Sequence, residues 1–170
     1  IDRFAAAAGL GLVRFDYSGT GSSGGDFAEG TLDRWLEEAL AIIDLLIDGK
    51  VLLIGSSMGG WLALPVALNR PERVAALVRV AAAPDFTDWG YTPEQRQSLV
   101  DTARFETPAP DGGPPLVTHA RFVASGTAMR MLHSPIAIDC PVRLIHGDKD
   151  DVVPVGVPFK LLDSIHSSDV

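Results

Sequence analysis

Apolar and polar positions along the chain follow two different periods. In "TLDRWLEEALAIIDLLID", residues Leu32, Trp35, Leu36, Ala39, Leu40, Ile43, Leu46 and Ile47 recur at intervals of three and four, which predicts a helix with one apolar face. Thr31 or Gly30 is placed to cap its start and Gly49 to end it. "KVLLIG" is an unbroken apolar run of strand length, the pattern of a strand buried on both faces. Met58 to Asn69 reads as the next helix, stopped by Asn69-Arg70-Pro71, with Pro65 expected to kink it. Further buried strands are expected from about Val74 in "VAALVRVAAAP" and from Pro141 to Gly147 in "CPVRLIHG". Upstream, "GLVRFDY", Gly11 to Tyr17, reads as a strand stopped by a glycine-rich loop.

This alternation of helix and strand predicts one α/β domain over 1–170, mostly a parallel sheet with helices on both faces. It is interrupted at about 84–135 by a proline- and glycine-rich stretch that is too long for an ordinary connection. "TPEQRQSLVDTARF" within it predicts a helix, and "PLVTHARFVA" a strand or hairpin arm. A small cap over the C-terminal edge of the sheet is expected, since ligands of open α/β sheets bind at that edge. The chain starts at Ile1 rather than Met, inside a helical pattern, "IDRFAAAAG", which predicts a fragment of a longer protein.

Composition narrows the function. A formal charge of −8 disfavours nucleic acid and anionic membranes as partners, and an uncharged or cationic small molecule fits better. No run approaches the roughly 18 apolar residues of a membrane span, and no signal core follows Ile1. A cytoplasmic protein is therefore expected, with room for a targeting segment ahead of Ile1. The single cysteine, Cys140, reads as a small buried side chain at a strand start. No His, Cys, Asp or Glu cluster has metal-ligand spacing, so neither metal nor cofactor is expected.

"GSSMG", Gly55 to Gly59, fits G-x-S-x-G with Ser57 at the centre, after a buried strand and before a helix. A serine in such a strained strand-to-helix turn exposes its Oγ above the sheet edge, and side chains two residues to either side are expected to clash. The Met58 backbone N–H then becomes a candidate oxyanion donor. In "LIHGDKDDVVP" three acids follow a strand; Asp150 is the preferred partner for an imidazole, with Asp148 and Asp151 as alternatives. Histidine is the gap. His166 is the only one after Asp150, yet it falls at a helix end and is a fallback; His146 reads as a turn residue, while His119 and His133 precede the acid. "GTGSSG" fits G-x-G-x-x-G, so a dinucleotide-binding oxidoreductase using Gly19, Gly21 and Gly24 is a competing reading. It is weakened because "GDFAEG" separates the glycines from the helix, and Asp44 sits in mid-helix.

Three segments together resemble the α/β-hydrolase superfamily: "VRFDYSGTGSSGGDF" as the loop before the nucleophile, "GSSMGGWLAL" as the nucleophile turn, and "CPVRLIHGDKDDVVP" as the acid strand. Within it the chain is similar to bacterial relatives of the mitochondrial palmitoyl-protein thioesterase that also cleaves acyl glucuronides. The resemblance implies a serine esterase or thioesterase with Ser57 as nucleophile, Met58 as backbone oxyanion donor and Asp150 as triad acid. It also implies a histidine beyond Val170 and a second oxyanion donor before Ile1, so that this chain by itself is weakly active or inactive. A non-catalytic scaffold of the same fold, binding a ligand or partner, is the remaining alternative. Phe86, Trp89, Phe105, Phe122 and Met129 permit an apolar acyl group.

Overall fold

The computed structural model describes residues 1–109 and 112–170; Pro110 and Asp111, in the expected cap stretch, lie outside the described residues. Helix α1 (Asp2–Ala7) precedes an irregular segment, a short 3-10 turn (Phe27–Glu29), and the long helix α2 (Leu32–Leu46). Strand β1 (Val51–Ser56), helix α3 (Met58–Asn69) and strand β2 (Val74–Val80) follow directly. Between β2 and β5 (Val142–Ile145) come α4 (Phe86–Trp89), α5 (Pro93–Thr102), β3 (Arg104–Thr107), β4 (Leu116–His119) and α6 (Ala120–Ala128). Helix α7 (Gly156–Ser164) closes the order.

The sheet is parallel in the order β1-β2-β5, with Gly55 beside Arg79 and Arg79 beside Leu144. Alternate residues point to opposite faces, and Leu53, Leu77, Val142 and Leu144 share the face on which Ala63, Leu64 and Ala67 of α3 and Leu161 of α7 pack. Ala39 and Ile43 of α2 join Val66 against Val51 and Leu53 on that same side. Helix α3 is enclosed by this arrangement; Gly60 through Ala67 are all buried, as its apolar sequence all round requires. Pro65 lies within it and the helix continues through it. Helices were expected on both faces; among the described residues they cover one. On the other, Leu52 is 55% exposed, Ile54 46% and Ile145 55%.

Gly11 to Tyr17 is not a strand, contrary to expectation. A strand needs a ladder partner, and none of its backbone groups from Gly11 to Asp16 bonds to another strand. An open groove of about 600 Å³ separates Val13–Tyr17 from Ile54 on β1. Cys140, expected buried, is half-buried at the start of β5, and burial together with the Asp139 charge outweighs a backbone hydrogen bond to push its thiol up. The stretch read as "PLVTHARFVA" is a strand only to His119; from Ala120 it is helix.

Candidate active site

Ser57 is exposed at the C-terminal end of β1, at φ 50°, ψ −120°, a conformation that L-residues adopt only when the surroundings impose it. The imposing contacts are backbone ones. Its N–H donates to Val80 O (3.1 Å), and its carbonyl accepts from Trp61 N (3.2 Å) and Ala83 N (3.1 Å). The exit of β2 therefore grips the serine from both sides.

Small residues make the turn possible, although not all at the expected positions. A Cβ on Gly55 would lie 2.4 Å from Gly59 O, which bars any side chain there. A Cβ on Gly59 would meet open space, contrary to the expected clash; the tight position is Gly60, 2.5 Å from Ala82 Cβ. The N–H of Met58, in the first turn of α3, has no acceptor among the described residues and lies at the positive end of the helix dipole. Behind it, Met58 packs with Phe86, Phe122, Met129 and Met131 around buried Trp61 and Leu62.

Asp150 lies beyond the C-terminal end of β5, two strands from Ser57. Its Oδ1 accepts from Val152 N and Val153 N, both at 2.9 Å. These two N–H groups, Val153's first, hold its carboxyl below the usual range despite some desolvation, with a smaller contribution from His146. Its Oδ2 is 3.8 Å from His146 Nε2, whose nearer partner is Val153 O at 2.9 Å. His146 is thus a turn residue that braces the acid loop. Asp148 and Asp151 are exposed.

The fallback histidine lies at the other end of the sheet. His166 N donates to Ile136 O, and Asp169 O accepts from Val142 N at the start of β5, whereas Ser57 stands where the parallel strands end. His119 caps the β3–β4 hairpin with its ring near Phe27, and His133 is exposed. Among the described residues His146, 3.8 Å from Oδ2, is the one histidine near the Asp150 carboxylate, and its ring bonds to Val153 O.

The glycine loop folds around an acid. Asp16 Oδ2 accepts from Ser22 N (2.8 Å), and a Cβ on Gly21, at φ 50°, would lie 2.2 Å from that oxygen. Gly19, at φ 75°, is pressed to 2.6 Å from Phe27 N on the same measure. A carboxylate occupies the place a pyrophosphate needs, and α2 begins only at Leu32, so the dinucleotide reading fails on charge and on position. The loop docks instead on α2: Ser18 N donates to Glu38 (2.9 Å), and Trp35 Nε1 donates to Ser18 O (3.1 Å). Burial, then the Glu38 charge, pushes Tyr17 up to about 12, so its phenol stays neutral. Among the described residues no group of three or more His, Cys, Asp or Glu is arranged to hold a metal ion, and no helix is long and apolar enough to cross a membrane.

Comparison with known proteins assigns the class. The profile of the alpha/beta hydrolase fold family matches residues 3–132, and the chain belongs to that family. It is 40% identical over 175 residues to the human palmitoyl-protein thioesterase ABHD10, mitochondrial, a match covering all of this chain and 57% of that protein. The chain thus spans little more than half the length of the curated relatives it matches. A crystal structure of an Agrobacterium vitis S4 protein superposes with a TM-score of 0.92 at 37% identity, covering 99% of this chain and 69% of that one. Mouse alpha/beta hydrolase domain-containing protein 10 gives 0.89 at 36% identity, with the same coverage. The chain thus has the α/β-hydrolase fold, and the relatives it matches here carry names of hydrolases.

Proposed function

We propose that this chain carries the nucleophile and acid of a serine hydrolase acting on carboxylic esters or thioesters. The observation behind this is Ser57: exposed, held at φ 50° by three backbone hydrogen bonds, at the start of a buried helix. Strain of this kind persists where it serves chemistry. Ser57 Oγ attacks the acyl carbonyl, and the Met58 N–H stabilises the oxyanion. The acyl-enzyme is then released by water. Asp150, fixed through Oδ1, offers Oδ2 to orient and stabilise an imidazolium. That histidine is expected from sequence beyond Val170, and a second oxyanion donor from sequence before Ile1.

The human relative is named for palmitoyl-protein thioesterase activity, and the apolar cluster of Met58, Phe86, Phe122, Met129 and Met131 is compatible with an acyl substrate. The relative is also named as mitochondrial, which lends no support to the cytoplasmic placement expected from the sequence. The test is a fluorophosphonate probe followed by peptide mapping, on this chain, on a version extended at both ends, and on the extended Ser57→Ala variant. Labelling at Ser57 in the extended protein, weak or absent in this chain and in the variant, is expected. No labelling in any of them points to a ligand-binding scaffold.

A further inference from the structure

Among the described residues the one buried carboxylate is Asp85, 5% exposed. It follows Pro84 just past β2 and sits at φ 57°. Among the described residues no cation pairs with it. Its compensation comes from main-chain amides 46 and 47 residues later: Oδ1 accepts from Met131 N (2.9 Å), while Oδ2 accepts from Met131 N (3.1 Å) and Leu132 N (2.8 Å). A buried carboxylate bonded this way makes strong, short-range links that are costly to lose.

The two residues it holds face the two halves of the site. Met131 packs in the cluster around Trp61 and Leu62 that also contains Met58. Leu132 packs against Ala83, Val153 and Val157. Ala83 is the residue whose N–H holds the Ser57 carbonyl, and Val153 is the residue whose N–H holds Asp150 Oδ1. One carboxylate thus fixes a short piece of chain wedged between the serine turn and the acid loop.

We infer that Asp85 is a positioning residue that sets Asp150 relative to Ser57 by holding Met131 and Leu132 between their supports. The inference rests on the serine-hydrolase reading above. Loss of the carboxylate frees the wedge, and the acid loop then no longer presents Oδ2 where an imidazolium needs it. A less well-placed carboxylate stabilises imidazolium less, so the histidine titrates at lower pH.

The test uses the full-length enzyme with Asp85→Ala and Asp85→Asn, a short p-nitrophenyl ester, and the pH dependence of kcat/KM. For Asp85→Ala, kcat is expected to fall roughly ten- to a hundredfold, the scale of a displaced catalytic group. KM is expected to change by less than about threefold, and the acid limb of the profile to move to lower pH. Asp85→Asn keeps one acceptor oxygen and is expected to recover part of both effects. Hydrogen exchange at Met131 and Leu132 reports whether the link itself has been cut. Faster exchange there with an unchanged pH profile, or a kcat loss with no movement of the acid limb, overturns the inference and leaves Asp85 a structural residue. If Asp85→Ala does not fold, Asp85→Asn decides by the same criteria. A wild-type enzyme that neither turns over the ester nor labels at Ser57 sinks the functional reading itself, a result distinct from an active enzyme indifferent to Asp85.

Discussion

Side chains at single positions decide whether the serine turn can form. Gly55→Ala and Gly60→Ala each force a Cβ into atoms under 3 Å away, Gly59 O and Ala82 Cβ respectively. Overpacking of this kind costs about 1–3 kcal/mol, read as a lower urea midpoint. Gly59→Ala meets open space in a helix and is expected to be neutral or stabilising by a few tenths of a kcal/mol. Arg79 is 1% exposed, with only Nε bonded, to Gly60 O at 2.8 Å. Its two terminal nitrogens find no partner among the described residues, and burial pushes the guanidinium down to about 9. An unpaired buried charge opposes folding, so Arg79→Met is expected to leave the midpoint unchanged or raise it; a loss above about 1 kcal/mol would mean that the Gly60 bond outweighs the desolvation. Asp150 titrates below its unfolded value because Val153 and Val152 donate to it. A depressed carboxylate stabilises the fold fully above its unfolded pKa of about 3.9 and loses that contribution as pH falls through the lower folded value. Asp150→Asn is accordingly expected to flatten the acid side of the stability profile below about pH 4, followed by circular dichroism.

Elements are joined at Trp35. Its ring stacks on Tyr17 with 5.5 Å between centroids, lies 5.6 Å from Phe122 of α6, and its Nε1 holds the glycine loop through Ser18. Trp35→Ala removes contacts from three segments at once, and about 3–5 kcal/mol of stability is expected to go with it, measured by thermal melting. This joint was half legible in the sequence: the period of three and four put Trp35 on the buried face of α2, but nothing local told which segments it would meet. Helices α2 and α3 and strands β1, β2 and β5 were readable because helical periodicity and short unbroken apolar runs mark the elements, although burial of β1 on both faces did not follow, since Leu52 and Ile54 are exposed. The run after Leu116 was not, since Val117, Thr118 and Val123 favour a strand while the chain turns helical at Ala120; short apolar runs do not separate the two. Ser57 was legible as a motif. Asp85 was not, because a carboxylate compensated by amides 46 residues away leaves no mark near itself.

The molecule as a whole presents an apolar sheet face at Leu52, Ile54, Val80 and Ile145, beside the unpaired edge of β1. Surfaces of this kind promote association. This chain is expected to self-associate and to bind a hydrophobic dye, and Leu52→Lys with Ile54→Lys to reduce both; light scattering and dye fluorescence measure the difference. The Asp85 link has a consequence of another sort. The stretch from Phe86 to Arg130 leaves and re-enters the fold at two points tied to each other by one side chain, so the sheet sees its ends as a fixed, narrow gap. The exposed connections within such an insert can lengthen or shorten at small entropic cost, while Phe86, Phe122 and Ser125, which pack on Trp35, Trp61 and Leu32, stay part of the core. The clasp thus lets the surface of the excursion vary in length while its two ends stay fixed beside the sheet.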